Sequence, residues 1–170
     1  MVYIGSDPGS PLTVGVLNRD GTIHSIHEGE AVATAFDYLT KSGNKASRWE
    51  NNPALIASIL RDFDAARAVV EQVSIRPGEA LGSGMKFVGS MWLSLGAAAA
   101  LGLPCKRVVP QVWKRDMGIK VTLRNPKEPA RLRALEVWPG RAELFRRKKD
   151  HNRAEALLLA EWLRRQEVAP

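Results

Sequence analysis

The segment AARAVVEQVSI constrains this chain more than any other. Its β-branched centre, residues 68–73, predicts a strand covered on both faces, and such a strand requires helices on either side of its sheet. Glu71 interrupts the apolar run. A carboxylate among Val69, Val70 and Val73 costs on the order of several kcal/mol unless it is paired or binds a cation. Either the fold brings Glu71 a compensating group, or the strand lies at an exposed edge.

The neighbouring segments supply the other layers. VYIGS, LTVGVLN and TIHSIHE predict three strands joined by tight turns, with Asp20-Gly21 as a hairpin corner. CKRVVP adds a short strand. Pro53 opens a helix with Asn52 as its N-cap, because proline lacks the N–H that a first helical position leaves unbonded. Beyond the glycine-rich RPGEALGSGM, the nearly uncharged KFVGSMWLSLGAAAALGL predicts a long helix inside the core. PQVWKRDMGI, NPKEPARLRALEVWPG and the amphipathic NRAEALLLAEWLRRQ predict three more. The expected architecture is α/β, a mixed five-stranded sheet flanked by helices, with residues 1–170 forming one domain. Residues 31–52 are mixed and polar and read as a partly helical, partly mobile insertion.

Several function classes fall away. The one cysteine, Cys105, and the three histidines, His24, His27 and His151, provide neither a disulfide framework nor a Cys/His zinc site. No stretch reaches the roughly 18 apolar residues of a membrane span, and MVYIGSDPGS lacks a secretory pattern, so a soluble, cytoplasmic protein is expected. The formal net charge is +7 and lopsided: residues 1–105 carry 8 Lys/Arg against 10 Asp/Glu, and residues 106–170 carry 17 against 8. A basic half of this kind fits a polyanion, nucleic acid above all.

Three acidic positions stand where chemistry is the alternative to a structural role. Asp7 closes the first strand before Pro8-Gly9, where it either holds the turn or faces a ligand. Glu71 is the second. At the start of the last helix, Asp150, His151 and Glu155 form the third group, with Asp150 also suited to capping and Glu155 at the helix's buried border. Two acids at adjacent strand ends and one at a helix start are the donor set of a divalent-metal phosphodiesterase, since Mg2+ takes carboxylate oxygens.

In order and spacing, Ser6-Asp7-Pro8-Gly9, Val70-Glu71-Gln72-Val73, the Pro77-Gly78 to Gly84 loop, Val109-Pro110-Gln111-Val112-Trp113-Lys114 and Ala154-Glu155-Ala156-Leu157 resemble the RuvC family of Holliday junction resolvases, in particular its phage-type branch. The resemblance implies an RNase H-like fold, a homodimer, and Mg2+-dependent nicking of four-way DNA junctions, with Mn2+ as a substitute cation. It carries Asp7, Glu71 and Glu155 over as catalytic, metal-binding acids. Asn152 stands where the family has a fourth ligand, which leaves Asp150 or His151 to complete the site, with ligand chemistry favouring Asp150. Ser74 replaces an aromatic that some relatives stack on a base. Met85 and Phe87 are alternatives for that wedge, although core packing is the simpler reading of both.

Arg146, Arg147, Lys148 and Lys149, with Lys114 and Arg115, form the expected DNA-binding surface, and Arg76, Lys86 and Lys120 are further contacts. The function this resemblance implies is resolution of four-way (Holliday) DNA junctions by two-metal-ion hydrolysis. A nuclease of the same fold acting on other branched DNA or RNA–DNA hybrids, and a non-catalytic basic DNA-binding module, are its alternatives. The apolar helix over 86–103 is a candidate dimer surface.

Overall fold

The structure, a computed structural model, describes residues 1–9, 11–63, 66–75, 77–78, 80–120 and 127–168. Five strands form one mixed sheet: β1 (Val2–Asp7), β2 (Thr13–Asn18), β3 (Ile23–His27), β6 (Ala66–Glu71) and β7 (Cys105–Val108), in the order β3-β2-β1-β6-β7. The first three form the expected antiparallel meander, and β6 and β7 run parallel to β1. Between β3 and β6 come β4 (Ala33–Leu39), β5 (Lys45–Asn51) and α1 (Pro53–Arg61).

β6 is central, which excludes the edge-strand reading of Glu71. Its side chains alternate between two cores. Tyr3 and Val69 pack beneath α3 (Pro110–Asp116), α4 (Glu128–Val137) and α5 (His151–Val168); Ile4 and Ala68 pack against α1 and α2 (Leu81–Ala100) on the opposite face. A strand with apolar residues at successive positions is satisfied only by this double cover. The N-cap of α1 is as expected, the Asn52 side chain accepting from the Ala54 N–H at 2.9 Å.

Two expectations are corrected. Residues 31–52 are largely a β-hairpin, with Ala33 opposite Asn51 through to Leu39 opposite Lys45, preceded by a 3-10 turn at Gly29–Ala31. Within it only Ala33 is fully buried. Solvent on both faces removes the polar–apolar alternation that marks a half-buried strand, and Phe36, Tyr38, Leu39 and Trp49 are exposed. The long apolar helix begins at Leu81, inside the segment read as a loop, and only one side of it is in the core. Gly84, Ser90, Met91, Ser94, Ala97 and Ala98 are buried, whereas Met85, Phe87 and Trp92 are exposed. Core packing of Met85 and Phe87 is therefore wrong. Among the described residues no helix is long and apolar enough to cross a membrane.

Candidate active site

Parallel pairing of β1 with β6 sets Ser6 opposite Val70, so the next residues, Asp7 and Glu71, end the two strands side by side. The two-residue period of a strand puts Asp7 on the face of Tyr3 and Gly5, and Glu71 on the face of Val69, which is the α5 side. On that face α5 lies unusually close to the sheet. Gly5 and Gly15 are cross-strand partners, and both meet the backbone of α5: a Cβ on Gly5 would overlap the Ala156 carbonyl oxygen, and one on Gly15 would come within 2.8 Å of the Leu157 nitrogen. This approach carries Glu155, one residue before Ala156, down to the carboxylates at the strand ends.

The three acids are buried, at 9% relative exposure for Asp7, 8% for Glu71 and 9% for Glu155. Burial, then the charges of Glu155 and Glu71, push the Asp7 carboxyl well above the usual carboxylate range, with Lys114 and Lys127 partly offsetting them. α3 supplies two compensating groups from adjacent positions. The Trp113 indole N–H donates to Glu71 Oε2 at 2.8 Å, and the Lys114 ammonium donates to Glu155 Oε1 at 2.5 Å. Burial works against the charge of Lys114, but Glu155, then Glu71 and Asp7, outweigh it and hold its pKa above the ordinary lysine value. Lys114, expected on a DNA-facing surface, therefore lies inside the acidic cluster.

The third acidic group divides. Asp150 ends a 3-10 turn, Lys148–Asp150, that leads into α5. Its carboxylate accepts from the Arg147 backbone N–H at 2.8 Å and from the Arg147 guanidinium at 2.8 and 3.0 Å. These bonds outweigh burial and hold its pKa below the usual value. His151 is differently placed. Its Nδ1 lies 2.9 Å from the Lys148 carbonyl oxygen, an acceptor, so Nδ1 carries the proton in that bond; the buried Nε2 has no hydrogen-bond partner among the described residues. At i and i+4, His151 and Glu155 share one side of α5.

The basic residues are scattered. Arg146, Lys148 and Lys149 are exposed just before α5, whereas Arg147 is engaged by Asp150. Arg115 pairs with Asp116, and Lys86 and Lys120 are exposed. Arg76 lies outside the described residues. Ser74 is exposed after β6, and Asn152 is half-buried in the first turn of α5. Sequence reasoning missed Trp113, whose indole is needed only because Glu71 is buried beneath it. It also missed Lys127, which acts on Asp7 although 120 positions separate the two. The hairpin was missed as well. Asn51 at its base accepts from the Leu12 N–H at 2.9 Å and donates to the Gly9 carbonyl at 3.1 Å, fastening the hairpin to the loop that follows Asp7.

Thermus thermophilus RuvC, solved in complex with a Holliday junction substrate, superposes with a TM-score of 0.62 over 99% of this chain and 97% of that chain, at 17% identity. This is the RuvC fold. A second structure of T. thermophilus RuvC gives a TM-score of 0.55 over 98% of this chain and 96% of that one, at 18% identity. In sequence, the chain is 32% identical over 117 residues to the chloroplastic Holliday junction resolvase MOC1 of Chlamydomonas reinhardtii. That alignment takes in 64% of this chain and 13% of the relative's length. No protein-family model matches. In the RuvC fold of this chain, the expected RNase H-like sheet is the frame that brings Asp7, Glu71 and Glu155 together.

The chemistry of these donors fits a hard divalent cation: three buried carboxylates offer the oxygen ligands that such an ion takes. One of them, Glu155, is bonded to the Lys114 ammonium. Among the described residues no three Asp, Glu, His or Cys side chains stand as a metal cage.

Proposed function

We propose that this chain is a cytoplasmic, homodimeric endonuclease that resolves four-way DNA junctions by two-metal-ion phosphodiester hydrolysis. The carrying observation is the convergence of Asp7, Glu71 and Glu155 from β1, β6 and α5 on one buried point. A binding module has no use for carboxylates held where a phosphate backbone must approach.

Asp7, Glu71 and Glu155 would hold Mg2+ or Mn2+, which supplies Lewis acidity at the phosphate and at the attacking water. The protein's own groups do the rest. The Trp113 N–H fixes the rotamer of Glu71. His151, with its Nδ1 proton committed to the Lys148 carbonyl, presents Nε2 as the fourth polar group of the site, in place of Asp150, whose oxygens are taken by Arg147. Lys127, Arg146, Lys148 and Lys149 hold the DNA backbone and oppose its repulsion from the carboxylates. The hairpin that leaves the Asp7 loop offers aromatic faces and cations, including Arg48 stacked 5.2 Å from the Tyr38 ring centroid, a pairing suited to unstacked bases.

The dimer reading rests on α2. Gly82, Met85, Gly89, Trp92, Gly96 and Ala99 are all exposed and repeat at spacings of three and four, forming one seam. A Cβ on Gly82, Gly89 or Gly96 would meet nothing within 4 Å. Each glycine weakens the helix by about 1 kcal/mol relative to alanine, and the protomer has no packing reason for any of them. Close approach of the same helix from a second copy provides one, and a two-fold dimer matches the two strands that a symmetric junction presents.

The reading is tested with Mg2+ on a mobile four-way junction, a linear duplex and an RNA–DNA hybrid. Paired, symmetric nicks confined to the junction are expected. Preferential cutting of the hybrid would assign the chain to another activity of the fold.

A further inference from the structure

The Lys114 ammonium is bonded to one member of the acidic cluster. It bonds Glu155 Oε1, and both side chains are largely buried, at 15% and 12% exposure. Asp7 and Glu71 lie within its electrostatic reach. The bond ties Lys114 directly to one of the three clustered acids. A divalent ion seeks the same oxygens and would repel an ammonium left beside it.

We propose that Lys114 is a resident counter-ion that closes the carboxylate cluster in the metal-free protein and is displaced from Glu155 when a divalent cation enters. The proposal rests on the metal-dependent nuclease reading and deepens it. Lys114 sits in the last turn of α3, so its flexible four-carbon stem can swing without moving Trp113, one position earlier, from Glu71. The group that would receive the displaced ammonium is a phosphate of bound DNA. Entry of the cation and arrival of the backbone then favour each other, and by linkage each raises affinity for the other.

The test is Mn2+ binding to the DNA-free protein by calorimetry, for wild type, Lys114→Met and Lys114→Gln, with Asp7→Asn as the control that removes the site. Loss of the lysine is expected to tighten Mn2+ binding by about tenfold, within the usual range of coupling between sites. The metal-free melting temperature should fall and the gap between metal-free and metal-loaded melting should widen. Unchanged or weaker Mn2+ binding in both lysine variants overturns the counter-ion role alone. Absence of any Mn2+ binding that Asp7→Asn abolishes overturns the metal site itself. A second measurement needs no variant to fold: in wild-type protein with 13C-labelled lysine, Mg2+ should move the Lys114 Cε resonance toward those of exposed lysines. A resonance unmoved at saturating Mg2+ overturns the proposal.

Discussion

Gly5 lies directly beneath the Ala156 carbonyl, so close that no side chain fits between strand and helix. This contact sets the height of α5 above the sheet and with it the distance from Glu155 to Asp7. The obstacle is backbone, so a methyl group cannot be accommodated by a rotamer change. Gly5→Ala is expected to destabilise the protein by about 1–3 kcal/mol or more, as overpacking does, and to abolish cleavage in whatever fraction still folds. Thermal melts with nicking assays on the folded fraction check this; wild-type activity in a stable Gly5→Ala protein would show that α5 is positioned by other contacts.

Asp7 is expected to weaken the metal-free protein at neutral pH. Its carboxyl is raised by burial and by Glu155 and Glu71, so the folded state binds this proton more tightly than the unfolded chain, whose value is about 3.9. Its contribution to stability is therefore greatest at low pH and is lost as pH climbs from the unfolded value through the folded one. In chelator, Asp7→Asn should melt above wild type at pH 7, and the difference should shrink toward pH 4. A variant that melts below wild type at pH 7 would mean that the Asp7 charge is compensated.

At the head of α5, Asp150 and His151 are expected to have different duties. Asp150→Asn keeps an acceptor for the Arg147 N–H and should cost stability, about 1 kcal/mol through weakened charge-assisted bonds, while leaving most of the nicking rate. His151→Ala should lower the rate at least tenfold, a barrier change of about 1.4 kcal/mol, with little effect on melting. The reverse pattern would put the fourth group of the site back on Asp150.

If α2 is the dimer seam, Gly89→Glu should give a folded monomer, since a side chain there meets no atom of its own protomer within 4 Å. Light scattering, with circular dichroism on the same sample, reads both properties. A dimer that survives the substitution places the interface elsewhere.

The parts of this fold legible in the sequence are those with a strong period or a local signal. The meander with its Asp20-Gly21 corner, the doubly covered β6, the Asn52 cap and the Asp7 and Glu71 strand ends are all of this kind. The hairpin over 33–51 was not legible, because strands wetted on both faces carry no alternation. The position of Lys114 was equally hidden. Its segment reads as a basic helix, and nothing local reveals that Glu155, 41 residues later, will meet its ammonium in a buried cluster. For Asp150, donor chemistry was legible in the sequence, whereas the turn geometry in which both its oxygens accept from Arg147 was not.

The central claim is that Asp7, Glu71 and Glu155 form a cation site that cuts DNA rather than a set of structural acids. It is tested most directly by Asp7→Asn and Glu71→Gln measured beside wild type for Mg2+-dependent nicking of a mobile four-way junction and for gel-shift affinity on the same preparations. The account predicts no detectable nicking by either variant, with junction affinity equal to or tighter than wild type, because negative charge has been removed from beside the phosphates. Nicking by Glu71→Gln at a rate near that of wild type would contradict it.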